Sequence, residues 1–209
     1  KLAKTKTIWI SNFKKIKKKP TIFLANEFFD SLEIKQFIKR KNLWFEKFVH
    51  LENNKRAYFF EKKFDMKNFE KKIKFKISKN QNFIEYSETG VKYLKQTSKI
   101  IRKNTGGVLI IDYGYTQNKM KDTLQAISKH KYSNILENIS NSDITHNINF
   151  RFFQRIIKYI GELKNNLTTQ KEFLFRMGIN QRAELISKNL NFLKKADIYY
   201  RLKRLTDDK

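Results

Sequence analysis

Two short polar clusters contain the side chains of this chain that are best suited to chemistry. Each cluster directly follows an apolar run typical of a strand: Asn26, Glu27 and Asp30 follow TIFLA, and Asp112, Tyr113, Gly114 and Tyr115 follow VLII. Carboxylates in such places orient a nucleophile, bind a cation or hold sugar hydroxyls. The alternative is local, because the same residue types cap helices and turns. The residues alone leave both interpretations open.

A parallel sheet would bring the two clusters together. Buried strands are predicted at residues 21–25, after the single proline, and at 108–111, after two glycines. Between them lie predicted strands at 34–38, 43–51 and 57–61 and helices at 66–75 and 88–103, the second capped by Ser87. The order strand, helix, strand is typical of a parallel crossover unit. We therefore predict an α/β fold in which both clusters meet at one edge.

The sequence changes character after Tyr115. The pattern predicts a short helix at 122–127, an irregular loop at 130–145, and helices at 150–160, 169–177 and 181–193. His130 and His146 flank the loop, with Asp143 and Thr145 beside the second. Their spacing does not match a metal site, which needs three or four ligands. We therefore expect exposed or hydrogen-bonded histidines and predict no metal site.

Several function classes lack support in this sequence. The absence of cysteine excludes disulfides, thiolate metal sites and a cysteine nucleophile, and it fits a reducing compartment. No Gly-x-Ser-x-Gly elbow or phosphate-binding Gly-Lys-Ser/Thr loop occurs, so hydrolase and NTPase functions are not indicated. No run approaches the roughly 18 apolar residues that a membrane span needs.

The net charge of +26 comes from 46 basic and 20 acidic residues. Such a charge invites a nucleic-acid interpretation. However, Lys, Asn, Ile and Phe are abundant together, as a codon bias toward A and T would produce, and the lysines are scattered. The segment KKIKKK at 14–19 is the only dense run. Compositional bias is therefore the favoured explanation, with weak, salt-sensitive and nonspecific polyanion binding as its consequence.

Six segments in order resemble the conserved blocks of the MidA-like S-adenosylmethionine-dependent methyltransferases. They are IFLANEFFDSLEIKQF, WFEKFV, GGVLIIDYGY, KDTLQAISKHKYSNIL, SDITHNINF and TQKEFLFRMGI. This family includes mitochondrial arginine methyltransferases that assist the assembly of respiratory complex I. The resemblance implies a Rossmann-like class I methyltransferase fold with inserted strands and a helical carboxyl-terminal part. It also implies S-adenosylmethionine as cofactor and a protein arginine as substrate, with a complex I core subunit as the candidate.

The resemblance also implies which part of the family's fold this chain represents. The glycine-rich cofactor loop of the family precedes the block that matches Ile8 and Trp9, so it would lie upstream of Lys1. Residues 1–115 then form the second half of the Rossmann-like sheet, and residues 116–209 form a substrate-side loop and helical region of the same domain. We expect this chain alone to be inactive and to expose the edge of a half-sheet. The complete protein is expected in the bacterial cytoplasm or the mitochondrial matrix.

The same resemblance assigns roles to individual residues. Asn26, Glu27 and Asp30 match the family's Asn-Glu-x-x-Asp block, which faces the methyl donor and the substrate. We expect Glu27 first and Asp30 second to hold a guanidinium, and Asn26 to contact the cofactor or orient the substrate. Residues expected on the substrate side are Asp112, Tyr113, Tyr115, His130, Asp143 and Thr145.

Two departures and two rival functions accompany this resemblance. Glu33 stands where the family usually has proline, and Asn149 stands where it often has aspartate. One rival is a non-catalytic assembly or binding protein that keeps the fold. The other is an RNA-binding protein or RNA methyltransferase, which the charge alone suggests.

Overall fold

The computed structural model describes residues 7–53, 56–137, 141–161 and 163–207. The chain divides into two compact units, Lys1–Lys164 and Asn165–Lys209. The functional division at residue 115 stays a prediction. No helix in the described ranges is both long and apolar enough to cross a membrane.

The first unit combines short sheets with three α-helices in its described part, together with a 3-10 helix at Phe13–Lys15. Its strands are β1 (Thr21–Asn26), β2 (Lys35–Arg40), β3 (Leu43–Glu52), β4 (Arg56–Phe64), β5 (Phe83–Tyr86), β6 (Gly106–Ile111), β7 (Gly114–Tyr115), β8 (Gln125–Ser128), β9 (Lys131–Ser133), β10 (Asp143–Thr145) and β11 (Ile148–Asn149). Its helices are α1 (Met66–Ile73), α2 (Glu88–Asn104) and α3 (Phe150–Gly161). The predicted strands at 34–38, 43–51 and 57–61 correspond to β2, β3 and β4, and β5 was not predicted.

The predicted parallel crossover is confirmed. Strand β1 pairs in parallel with β6, from Thr21 opposite Gly106 to Asn26 opposite Ile111. Gly106 has a φ of +120°, and a Cβ there would lie 1.9 Å from the Thr21 carbonyl oxygen, so the pairing requires glycine. Helix α2 contacts both strands and is capped by Ser87, whose Oγ accepts a hydrogen bond from Gly90 N–H at 2.9 Å.

The prediction that residues 21–25 form a buried strand is wrong in its burial. Its residues alternate between half-buried and exposed, and Ile22 and Leu24 are 83% and 68% exposed. Only the face that carries Ala25 packs against the core beneath α2. Strand β6 is likewise only half-buried. The apolar run therefore identified a strand correctly but overestimated its burial, because no described element covers the second face.

The core of the first unit lies between the inserted antiparallel sheet and the helices. This sheet has the strand order β4-β3-β2-β5. Phe37 on β2 and Ile84 on β5 are completely buried, and the Phe37 ring lies 4.5 Å from Phe64 and 5.4 Å from Phe69 between centroids. Burial of such rings contributes about 1.5–3 kcal/mol each. The insertion therefore provides much of the apolar packing that supports the β1–β6 pair.

The structure also corrects the region after Tyr115. Residues 125–127 of the predicted helix at 122–127 belong to strand β8, and the predicted loop at 130–145 contains β9 and β10. These strands form a sheet with the order β10-β8-β9. Lys129 and His130 make the two-residue turn between β8 and β9, with φ of 50° and 62°. Such turns usually contain Asn or Gly, so this Lys-His pair carries no hairpin signal.

The second unit is helical in its described part. It contains α4 (Gln170–Arg176), α5 (Ile179–Ser187) and α6 (Phe192–Thr206). The predicted helix at 181–193 is wrong in its bounds, because the chain leaves the helix after Ser187 and Asn191 caps a separate helix. Gln170 Nε2 donates to the Leu205 carbonyl oxygen at 2.9 Å and thereby links α4 to α6.

Candidate active site at the ends of two parallel strands

Asp112 joins the two polar clusters. Its Oδ2 accepts hydrogen bonds from the backbone N–H groups of Phe29 at 2.9 Å and Asp30 at 3.3 Å, and its Oδ1 accepts from Tyr113 N–H at 2.9 Å. The Glu27 N–H donates to the Ile111 carbonyl oxygen at 2.9 Å and extends the β1–β6 ladder by one bond. The expectation that both clusters meet at one edge is therefore confirmed.

The local alternative also holds for Asp112. Its carboxylate accepts three backbone N–H groups and so fixes the turn that follows β1, as a capping residue does. A carboxylate has about four acceptor positions, so most of those on Asp112 are already used. Asp112 therefore positions Phe29 and Asp30 in this turn and offers little to a substrate directly.

Three carboxyl groups influence one another at this edge. Burial, and then the charge of Asp30, raises the pKa of the Asp112 carboxyl to about 6, against the opposing effect of its three backbone donors. Burial, and then the charge of Glu27, raises the pKa of Asp30, whereas His146 lowers it. Burial is the larger cause of both shifts, and the negative charge of a neighbouring carboxylate is the second. A cation placed among these groups would relieve the repulsion between them.

Glu27 has a strained backbone. Its φ is +45°, in the left-handed region that residues with a Cβ rarely adopt. This conformation costs about 1–2 kcal/mol for a residue other than glycine. Strain of this kind persists where the surrounding structure fixes the residue, and it clusters at functional sites. The side chain of Glu27 is exposed, as is that of Asn26, so both are accessible to a ligand.

His146 lies beside Asp30 and was not predicted as a site residue. Its backbone N–H donates to the Asp30 carbonyl oxygen at 3.0 Å. The residue is only 6% exposed, and neither ring nitrogen has a hydrogen-bond partner among the described residues. The expectation of an exposed or hydrogen-bonded histidine is therefore wrong for His146. The sequence predicted an irregular loop before His146, whereas the structure places this residue between β10 and β11, beside the strand edge. Its position at the site therefore could not be predicted.

The two tyrosines of the second cluster differ in their surroundings. Tyr113 is 59% exposed, and its carbonyl oxygen accepts from Ile148 N–H at 2.8 Å. Tyr115 is buried, which raises the pKa of its phenol, and its hydroxyl accepts from Lys121 N–H at 3.4 Å. Tyr113 is thus available to a substrate, whereas Tyr115 supports the neighbouring loop.

The three remaining candidates occupy the sheet formed by β8, β9 and β10. His130 lies in the exposed β8–β9 turn, and Asp143 is an exposed residue at the start of β10. Thr145 accepts a hydrogen bond from Gln125 Nε2 at 3.2 Å and directly precedes His146. Of the three, Thr145 lies nearest to the strand edge, because the next residue, His146, contacts Asp30 there. The substrate roles of all three stay predictions.

A buried polar network behind the site was also not predicted. Glu85 accepts hydrogen bonds from Gln36 Nε2 and Thr123 N–H, both at 2.9 Å, and from Thr123 Oγ1 at 2.5 Å. Thr123 Oγ1 in turn accepts from Asn147 N–H at 3.0 Å. The network thus connects the inserted sheet to the residue after His146. Its members are far apart in sequence and so give no local signal.

Within the described residues, no group of three or more histidine or acidic side chains is arranged to hold a metal ion. The acidic edge suits an organic cation. Residues 1–168 match the family described as "Putative S-adenosyl-L-methionine-dependent methyltransferase". The chain belongs to this methyltransferase family. S-adenosylmethionine, itself a sulfonium cation, is the cofactor of the family.

Curated relatives agree with the family assignment. The chain is 27% identical over 201 residues to the mitochondrial protein arginine methyltransferase NDUFAF7 of Danio rerio, with 87% of this chain and 43% of the relative covered. It is 25% identical over 201 residues to the human protein of that name, with 88% and 41% covered. The chain thus spans about two fifths of the length of these relatives.

Solved structures confirm the predicted Rossmann-like methyltransferase fold. A crystal structure of a protein from Burkholderia thailandensis bound to S-adenosyl-homocysteine has a TM-score of 0.70 and 16% identity, covering 96% of this chain and 52% of that one. A second crystal structure from the same organism has a TM-score of 0.69, also at 16% identity, covering 92% and 53%. At this identity the likeness concerns the fold.

Proposed function

We propose that this chain carries the substrate side of an S-adenosylmethionine-dependent protein arginine methyltransferase, in which Glu27 and Asp30 hold the substrate guanidinium. The observation that carries the proposal is the crowding of Glu27, Asp30 and Asp112 at the carboxyl ends of two adjacent parallel strands. The names of the curated relatives support arginine as the acceptor.

A guanidinium suits this edge for electrostatic and geometric reasons. Its planar N–H groups match a carboxylate in a bidentate arrangement, and it stays charged at neutral pH. Glu27 is exposed and is proposed to make this contact, while the more buried Asp30 adds negative charge behind it. Two nitrogens held by Glu27 leave the third free to attack, so that positioning provides most of the catalytic effect.

The residues at the edge also fit the cofactor. When bound, S-adenosylmethionine supplies a methyl group from a positively charged sulfur, and a negatively charged edge favours that cation. Asn26 ends β1 with its side chain exposed, where its amide is proposed to contact the cofactor or orient the substrate. Transfer of the methyl group would leave the cofactor as a neutral thioether and release one proton from the guanidinium. Glu27, which would hold two of its N–H groups, is the proposed acceptor of that proton.

Replacement of Glu27 by glutamine in the full-length protein tests this role. Methyl transfer from labelled S-adenosylmethionine to an arginine-containing protein should fall about a hundredfold, because the charged hydrogen bonds to the guanidinium are lost. Cofactor affinity, measured by calorimetry, should stay nearly unchanged, because Asp30 and Asp112 keep the edge negative. Glu52→Gln on the exposed end of β3 is the matched control and should keep full turnover. Unchanged turnover in Glu27→Gln would remove this residue from the mechanism.

Two finer proposals rest on the relatives and on the family resemblance. We propose that the substrate is a protein, with a core subunit of respiratory complex I as the candidate. We also propose the mitochondrial matrix as the location in a eukaryote and the cytoplasm in a bacterium. The relatives NDUFAF7 are named as mitochondrial, which supports the first of these locations.

A further inference from the structure

A cleft of about 490 Å³ in the first unit is lined by four cations and by no carboxylate. We call it the basic cleft and define it by Lys79, Lys119, Arg151 and Arg155, which are accompanied by the amides of Asn80 and Asn118. The cations come from three separate segments: the turn before β5, the loop after β7, and helix α3. Neither Glu27 nor Asp30 lines the basic cleft.

Neutral hydrogen bonds hold these three segments together. Gln81 is buried, its Nε2 donates to the Asn118 carbonyl oxygen at 2.8 Å, and its Oε1 accepts from Met120 N–H at 2.8 Å. Asn149 Nδ2 donates to the Gln117 carbonyl oxygen at 3.2 Å, just before α3 begins. The hydrogen bonds that bring the four cations together are therefore neutral and leave the positive charge of the cleft uncompensated.

The two guanidinium groups are oriented without carboxylate partners. Arg155 Nη2 donates to the Lys76 carbonyl oxygen at 3.1 Å and lies over the Phe75 ring, 5.1 Å from its centroid. Arg151 Nε donates to the Thr116 carbonyl oxygen at 3.3 Å. None of the ion pairs among the described residues includes either arginine. Each guanidinium therefore keeps N–H groups for a ligand.

Like charges gathered in this way favour a multiply charged anion. Arg151 and Arg155 are four residues apart and share one face of α3, where two positive charges repel each other. The amino-terminal end of α3, at Phe150, adds a partial positive charge nearby, and its Phe152 N–H is already held by Asn149 Oδ1 at 2.9 Å. Phosphate matches the planar fork of arginine and carries more charge than a single carboxylate.

We propose that the basic cleft binds a small phosphate-bearing molecule through its phosphate groups. This site is separate from the acidic strand edge and goes beyond the methyltransferase function. It also differs from diffuse attraction by a chain of charge +26, because it depends on four particular residues.

Calorimetric titration of pyrophosphate and inorganic phosphate into the full-length protein, at constant ionic strength, tests the proposal. We expect saturable binding near one site per chain. The double variant Lys79→Gln/Lys119→Gln should weaken it at least about tenfold. These lysine side chains are exposed and are absent from the hydrogen bonds and ion pairs that stabilise the described structure, so the variant should fold normally.

The control is Lys62→Gln/Lys63→Gln on the exposed surface of β4, which makes the same change in net charge. Its affinity for pyrophosphate should stay within about twofold of the unmodified protein. An equal loss in both double variants would show diffuse attraction and overturn the proposal. The absence of saturable binding would overturn it too, as would binding of single-stranded RNA without binding of pyrophosphate. None of these outcomes depends on methyl transfer.

Discussion

The backbone N–H of His146 donates to the carbonyl oxygen of Asp30 at 3.0 Å and holds a buried imidazole beside the acidic strand edge. The ring makes no hydrogen bond with a described residue, so its effect on the edge is electrostatic. This arrangement separates two properties that usually change together, the stability of the fold and the charge at the site.

Replacement of His146 by phenylalanine should therefore raise the pKa of Asp30, because the residue that lowers it is removed. The free energy of unfolding should change by less than about 1 kcal/mol, since no side-chain hydrogen bond is lost. A cavity of about 30 Å³ beside the ring can accept the larger side chain. Carboxyl titration by NMR and urea unfolding measure the two quantities. An unchanged Asp30 pKa would contradict the electrostatic role.

Asp112 should make stability depend on pH. Because its folded pKa of about 6 exceeds the ordinary value of 3.8, the folded state binds this proton more tightly than the unfolded chain. The resulting stabilisation is complete below about pH 3.8 and is lost as the pH rises through about 6.

Urea unfolding of the natural protein and of Asp112→Asn measures this dependence. The difference in unfolding free energy between them should fall by roughly 1–2 kcal/mol from pH 4 to pH 7, after allowance for partial solvent exposure. Asp143→Asn, at an exposed position, is the control for the loss of a surface carboxylate. A flat difference for Asp112→Asn would contradict the shift.

The positive φ of Glu27 predicts an unusual order of stability among its variants. Glu27→Gly and Glu27→Ala both remove the carboxylate, but only glycine adopts this backbone conformation without strain. We expect Glu27→Gly to be more stable than Glu27→Ala by about 1 kcal/mol in denaturant unfolding. The same exchange at Glu52, where no positive φ is present, should favour alanine. Equal stability of the two Glu27 variants would show that the turn relaxes.

The buried network around Glu85 should be costly to interrupt. Thr123→Val removes the hydroxyl that donates to Glu85 and accepts from Asn147 N–H. Buried groups that lose their partners in this way cost about 1–3 kcal/mol each. Thr116→Val, at an exposed position, should change stability by less than about 0.5 kcal/mol. Similar unfolding midpoints for the two variants would argue against the network.

Local signals in the sequence predicted local structure well. Ser87 and the apolar spacing that follows it identified α2, and two apolar runs with polar ends identified β1 and β6. The meeting of Glu27 and Asp112 at one edge followed from the general geometry of parallel sheets. These inferences succeeded because each depends on residues close together in the chain or on a general rule of topology.

Features that depend on distant partners could not be predicted in this way. Gln36, Glu85 and Thr123 become a network only when the inserted sheet meets the loop after β7. The exposure of Ile22 depends on which elements pack against β1, and an apolar run in the sequence does not indicate this. The turn at Lys129 and His130 has a backbone conformation that its residue types rarely adopt, so the hairpin was missed.

The bond between Asp112 and the Phe29 N–H joins residues that are 83 positions apart. Closing so long a segment carries an entropic penalty that the hairpins of the insertion and helix α2 avoid, because their contacts are local. We therefore expect the hairpins β2–β3 and β3–β4 to acquire structure early in folding and the carboxylate edge to be completed late. A partly folded chain would then hold these hairpins intact while its three acidic groups remain dispersed.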